Sequence, residues 1–203
     1  MTKEWIRQRK RDPYYRKAKS EGYRSRAAYK IKQMDSRLNL IRKGYRILDL
    51  GASPGGWSQY AVQRVGVGGK VVAVDVVPMD SIKGVEFIKG DISDPEVLSR
   101  VKEISPEFEL VMSDISPSLS GNRTLDRGRS LALAWEVMKF SLEVLRIKGN
   151  VVVKMFQGDE VDELKEGFGD YFWKIENHKP KSSLKKSIEI YIVFRGFEGR
   201  RED

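Results

Sequence analysis

From residue 45 onward the chain alternates short β-branched runs with amphipathic stretches, and few folds satisfy that alternation. Strands are predicted at Arg46–Leu50, Lys70–Asp75, Val85–Lys89, Glu109–Ser113, Asn150–Phe156, Phe172–His178 and Ile188–Phe194. Helices are predicted near 23–41, 56–65, 94–104, 129–146 and 159–168, with Pro95 and Pro106 at positions where an element would start. Such a series suits a mostly parallel sheet, whose strands need crossover connections. Only Lys179–Ser187 separates the last two strands, too little for a crossover helix, so they are expected to be antiparallel neighbours. No internal repeat or linker divides the chain. The expectation is a single α/β domain over residues 1–203, with a basic N-terminal arm and helix over about 1–40 appended to it.

That arm holds the charge. Residues 1–32 carry twelve Lys or Arg against Glu4, Asp12 and Glu21, a net +9 equal to that of the whole chain. Residues 33–203 balance, with 26 charges of each sign. Trp5, Tyr14, Tyr15, Tyr23 and Tyr29 are interleaved with the cations. Cations bind phosphates and aromatic faces stack on bases, so the mixture suits RNA better than a membrane surface. A solvated basic tail is the plain alternative.

Other classes are excluded by what is missing. The chain has no Cys, so disulfides, thiolate nucleophiles and cysteine zinc sites are out, and one histidine, His178, cannot make a histidine-rich metal site. No apolar run approaches the roughly 18 residues needed to span a bilayer, and the N-terminus is charged from Lys3 onward with no secretory core. A cytoplasmic, metal-free monomer is expected.

The segment Ile47-Leu-Asp-Leu-Gly-Ala-Ser-Pro-Gly-Gly-Trp57 reads as a buried strand, a glycine-rich turn and a helix start. Ligands of open parallel sheets bind at the carboxyl ends of strands, where this turn falls. Its spacing is G-x-x-x-G-G, not the dinucleotide G-x-G-x-x-G; Pro54 removes a donor and Asp49 adds negative charge. A cationic cofactor with an amino-acid end fits better than a pyrophosphate. Asp75 ends the second strand, where it can accept from ribose hydroxyls, and Asp91 ends the third, where it can accept from an exocyclic amine. Each could instead be a turn Asp capping the next helix. Three successive strand ends with suitable groups describe a nucleoside-binding crevice.

Groups for proton and charge management follow on later strands. Asp114 comes after the fourth strand, Lys154 lies in the apolar run Val151-Val-Val-Lys-Met-Phe156, and Glu189 lies in the last strand. A Lys inside a buried strand is depleted unless paired or functional. A cation between Asp114 and Glu189 would satisfy the pairing and also assemble a site.

With these residues together, the chain resembles the RrmJ/FtsJ family of ribose 2′-O-methyltransferases. The resemblance runs from about Tyr15 to Phe194 and rests on Tyr23-Arg-Ser-Arg-Ala-Ala-Tyr-Lys30, Asp49-Leu-Gly-Ala-Ser-Pro-Gly-Gly-Trp-Ser58, Asp75-Val-Val-Pro-Met-Asp80, Gly90-Asp91, Ser113-Asp114, Lys154 and Glu189. It implies a Rossmann-like methyltransferase sheet of seven strands, mostly parallel with the last antiparallel and helices on both faces. It implies S-adenosylmethionine (SAM) as cofactor, bound by Gly55, Trp57, Asp75, Asp91 and Asp114. The family's catalytic Lys-Asp-Lys-Glu set falls on Lys30, Asp114, Lys154 and Glu189, with Lys154 activating the 2′-hydroxyl. Two departures stand out: Ala52-Ser53-Pro54 replaces the family's frequent Ala-Ala-Pro, and no room follows Phe194 for the C-terminal RNA-binding domain of some relatives. RNA binding would fall to the arm, with Lys179, Lys181, Lys185 and Lys186.

The expected substrate is a uridine of large-subunit ribosomal RNA, met within the large ribosomal subunit. A tRNA anticodon-loop methyltransferase shares the same chemistry, and cap methylation is more distant. From other classes, an NAD-dependent oxidoreductase lacks its glycine motif here, and a non-catalytic RNA-binding module leaves Lys154 without purpose.

Overall fold

The computed structural model describes residues 12–184 and 187–199. Trp5 and the cations of residues 1–11, with Lys185 and Lys186, were expected to meet RNA and lie outside the described residues.

Helices α1 (Pro13–Ser20) and α2 (Ala28–Leu38) precede β1 (Arg46–Leu50), α3 (Gly56–Val65), β2 (Lys70–Asp75) and β3 (Val85–Lys89). Then come α4 (Pro95–Ile104), β4 (Phe108–Ser113), α5 (Arg123–Val144), β5 (Leu145–Phe156), α6 (Glu160–Phe168), β6 (Phe172–His178) and β7 (Glu189–Phe197). They form one seven-stranded sheet in the order β3-β2-β1-β4-β5-β7-β6. β7 runs antiparallel to both its neighbours, and the other pairs are parallel. The last strand of the chain is thus an inner strand of the sheet.

Strand alternation sorts side chains onto two faces. Leu48, Leu50, Val72, Val74, Val111, Val151 and Val153 pack against α4, α5 and α6 through Val97, Val101, Met138 and Leu164. Their strand neighbours Ile47, Val71, Leu110, Met112, Val152, Tyr191 and Val193 face α2 and α3 through Ile31, Met34, Trp57, Tyr60 and Val65. Both faces are covered, which is why the inner strands read as continuous apolar runs.

Four elements differ from expectation for a local reason, and β7 runs three residues past its predicted end to Phe197, which pairs with Phe172. β5 starts at Leu145 rather than Asn150: Leu145 pairs with Phe108 before an irregularity at Lys148 (φ 65°) and Gly149, which read as a turn. α5 starts six residues early, because the Asn122 side chain accepts from the Thr124 and Leu125 amides and supports a polar first turn. α1 was not predicted, though Asp12 caps it and Pro13 opens it. The helix expected over 23–41 is confined to Ala28–Leu38.

Residues 28–41 are no appendage either. Ile31, Met34, Leu40 and Ile41 are buried in the core of the α2/α3 face. The aromatics nearby pack against one another: the Tyr14 and Tyr23 rings lie 5.5 and 5.7 Å from that of Tyr29, tilted and edge-on, and Lys17 and Lys32 lie over the Tyr29 ring. Among the described residues no helix is long and apolar enough to cross a membrane.

Candidate active site

The sheet's alternation assembles the polar groups. Asp49 follows Ile47 by two residues, Asp114 follows Met112, Lys154 follows Val152, and Glu189 precedes Tyr191, so all point toward the α2/α3 side. Register then brings them level, with Met112 beside Val152 and Lys154 beside Tyr191. From above, α2 contributes Lys30 and α3 contributes Trp57.

Lys154 Nζ donates to the Asp114 carbonyl at 2.6 Å and pairs with Asp114 Oδ1 at 3.1 Å. Lys30 Nζ stands 2.9 Å from Glu189 Oε1 and 3.5 Å from Asp114 Oδ1. Tyr191 OH donates to Asp114 Oδ1 at 2.6 Å, and Lys30 Nζ lies 5.4 Å from the centre of its ring. The four charges therefore form a chain, Lys154–Asp114–Lys30–Glu189. The cation that bridges the two acids is Lys30, where the sequence suggested Lys154.

Burial and charge set the protonation states. Burial pushes the Asp114 carboxyl up, but Lys154, Lys30 and the Tyr191 hydroxyl outweigh it and hold it below the usual range. Burial and the Asp114 and Glu189 charges raise the Tyr191 phenol well above its ordinary value, so it stays a donor. Asp49 is 1% exposed. Burial lifts its carboxyl to about 7, against a 2.5 Å hydrogen bond from Ser58 Oγ and helped by the charge of Asp114.

Beside this cluster a cleft of about 490 Å³ opens at the carboxyl ends of β1, β2, β3 and β4, lined by Gly51, Asp75, Asp91, Ile92, Asp114, Ile115 and Leu133 among others. Asp75 is held by the Ser53 amide at 2.8 Å and the Val77 amide at 2.7 Å. Asp91 takes the Ser93 amide and hydroxyl, both at 2.9 Å, and those bonds hold it below the usual range. Neither caps a helix; Asp94 caps α4. A smaller cavity joins Asp49, Gly51, Trp57 and Asp114. Carboxylates beside apolar Ile92, Ile115 and Leu133 suit a cationic nucleoside, and a cleft of this volume admits one. Among the described residues no group of three or more His, Cys, Asp or Glu is placed to hold a metal ion.

The structure brings together Lys30, Asp114, Lys154 and Glu189, and sets Asp75, Asp91 and Asp114 around one cleft. Gly55 does not line it: at φ 102° it turns the chain into α3, and a Cβ there would meet Ile82 at 2.7 Å. Trp57 is buried, its Nε1 donating to the Ala27 carbonyl at 2.9 Å and its ring 5.7 Å from Tyr191. Two residues escaped the sequence reading. Tyr191 looks like any aromatic in an apolar strand. Arg24, whose guanidinium grips the Asp80 and Ser81 carbonyls and ties the segment before α2 to the loop after β2, was one cation among many.

Comparisons with known proteins agree with this geometry. The family model described as FtsJ-like methyltransferase matches residues 23–197. A Methanothermobacter thermautotrophicus protein named "Ribosomal RNA large subunit methyltransferase E" is 47% identical over 205 residues, covering 100% of this chain and 97% of its own. An Archaeoglobus fulgidus protein of the same name is 48% identical, covering 93% of this chain and 97% of its own. A crystal structure of a Plasmodium falciparum protein described as a ribosomal RNA methyltransferase superposes with a TM-score of 0.80 at 33% identity, covering 88% of this chain and 100% of that one. With the seven-stranded sheet, the cleft and a match over most of its length, this chain belongs to the FtsJ-like methyltransferase family.

Proposed function

We propose that the enzyme transfers a methyl group from S-adenosylmethionine to the 2′-hydroxyl of a uridine in large-subunit ribosomal RNA. The observation that carries this reading is the ion-paired chain Lys154–Asp114–Lys30–Glu189 at the edge of a carboxylate-lined cleft. The names of the relatives support ribosomal RNA, and the family resemblance supports the ribose 2′-oxygen and the uridine.

The donor, when bound, supplies a methyl group on a sulfonium that leaves as a neutral thioether. Asp75, its orientation fixed by the Ser53 and Val77 amides, accepts from ribose hydroxyls, and Asp91 accepts from the adenine amine. Ile92, Ile115 and Leu133 give the purine an apolar wall. The remaining contacts expected for the donor fall to the smaller cavity lined by Asp49, Gly51 and Trp57.

Two of the three N–H donors of Lys154 are taken by Asp114, which supports an ammonium at rest. The third is free to hold the incoming 2′-oxygen and to favour ionisation of its hydroxyl, whose proton passes to solvent water before the oxygen attacks the methyl carbon. Asp114 fixes Lys154, Tyr191 fixes Asp114, and Lys30 with Glu189 fixes the other side of the acceptor. Little else is asked of the protein, because in-line methyl transfer depends mainly on alignment.

The test offers radiolabelled donor to the enzyme with ribosomal subunits, naked rRNA and tRNA in separate arms. Label is expected at an alkali-resistant position of large-subunit RNA, lost in Lys154→Ala while donor binding by calorimetry persists. Label on tRNA alone would overturn the target. Absence of both label and donor binding would overturn the reaction.

A further inference from the structure

Helix α2 touches two places. Lys30 belongs to the catalytic cluster, and Arg37, seven residues on, lines a separate cavity of about 340 Å³ together with Gln33, His178, Lys179 and Lys181. Seven residues are two helical turns, so both side chains share a face about 10 Å apart along the axis. Gln33 lies between them and holds the other wall through its Oε1, which accepts the Ser182 amide at 3.0 Å.

The cavity has an unbalanced charge. It is lined by three cations, Arg37, Lys179 and Lys181, and by no carboxylate. Lys179 donates to the Ser187 carbonyl at 2.9 Å, while Arg37 and Lys181 have no hydrogen-bond or ion-pair partner among the described residues. His178 is 8% exposed, and its Nε2 is buried without a partner. Buried polar atoms are nearly always satisfied, so the unpartnered His178 Nε2 beside uncompensated cations marks a place fitted for an anion.

We infer that this cavity binds a backbone phosphate of the RNA strand whose target ribose is held at Lys154. The inference rests on the RNA methyltransferase reading above. RNA is favoured over an acidic protein segment because the α2 face through Lys30, Gln33 and Arg37 joins the cavity to the reacting centre. Arg37 presents the planar fork that matches phosphate oxygens, and Lys181 adds a point charge.

The chain has a single histidine, so the His178 imidazole gives one unambiguous NMR signal. At fixed pH, inorganic phosphate and a short rRNA oligonucleotide should both shift it in the wild type, and neither should in Arg37→Ala/Lys181→Ala. The same double variant should bind rRNA about tenfold more weakly with a shallower salt dependence, and keep its donor affinity and melting temperature. If the wild type methylates rRNA while His178 stays unmoved and the variant binds RNA normally, the phosphate site is overturned and the function stands. If phosphate shifts His178 but no RNA is methylated, the anion site stands and the proposed function falls. A signal that ignores phosphate and RNA but moves with an acidic peptide overturns the RNA assignment.

Discussion

The two faces of the sheet are made from alternate residues of the same strands, yet they are different materials. The face toward α4, α5 and α6 is an apolar core with Leu48, Val74, Val153 and Met155 fully buried. The face toward α2 and α3 begins the same way with Ile47, Leu110 and Val152, then turns polar at the carboxyl ends with Asp49, Asp114 and Lys154. One position along a strand decides whether a side chain contributes cohesion or chemistry. The first face gains from burying every atom. The second keeps polar groups in a poor solvent, which costs stability and is tolerated because Asp114 and Lys154 are paired and Asp49 is neutral below about pH 7.

The division predicts opposite outcomes for adjacent residues. Lys154→Ala should slow methyl transfer about 10³-fold in single-turnover assays with little change in donor affinity. A loss below tenfold would mean that the polar end of the second face is structural. Next comes pH. The folded Asp49 carboxyl titrates at about 7 against 3.8 in the open chain, so it is neutral in the fold where the unfolded chain is already ionised. Its contribution is full below about pH 4 and is lost as pH rises toward 7, a fall of up to about 4 kcal/mol. Asp114 has the opposite sign: its lowered carboxyl stabilises above the ordinary range and loses that contribution on acidification. Urea unfolding of Asp49→Asn between pH 4 and 8 should therefore show a flatter profile than the wild type. An unchanged slope would exclude Asp49 as its source.

Met155→Ala, one residue from Lys154 but on the other face, should cost about 3 kcal/mol of stability and leave transfer per folded molecule intact. If it slows transfer as much as the Lys154 change, the two faces are not functionally separate. The smallest effect is expected at Tyr191→Phe. Losing the hydroxyl that donates to Asp114 should reduce the transfer rate about tenfold without weakening donor binding.

How much of this was legible depends on the range of the signal. Strands β1, β2, β3 and β6 have their predicted limits because β-branched runs end at glycine or charge within a few residues. Asp114, Lys154 and Glu189 stood out because an ionisable residue beside a buried strand breaks a local pattern. Lys30 breaks no pattern, since a lysine in a helix is ordinary; only the family resemblance singled it out, and its 2.9 Å contact with Glu189 depends on chain 159 residues away. Tyr191 was hidden for the opposite reason, fitting its strand too well. Its importance comes from register, Tyr191 beside Lys154, which a single sequence does not encode locally. The same limit explains the arm: composition marked it as basic and aromatic, but the contacts of Tyr29 with Tyr14 and Lys17 join separate helices and are not written locally.

The place of β7 has a consequence for the order in which the molecule can be made. It follows every other described strand in the chain, yet it is inserted between β5 and β6 and supplies Tyr191 and Glu189. A nascent chain that has emerged only as far as β6 has β5 with an open, apolar edge and has neither of those two groups. Such an edge recruits strands from other chains, so the interval before β7 docks is when aggregation competes with folding. Competence arrives in one late step, and a chain released before residue 189 should be recovered in the insoluble fraction rather than as a slow enzyme.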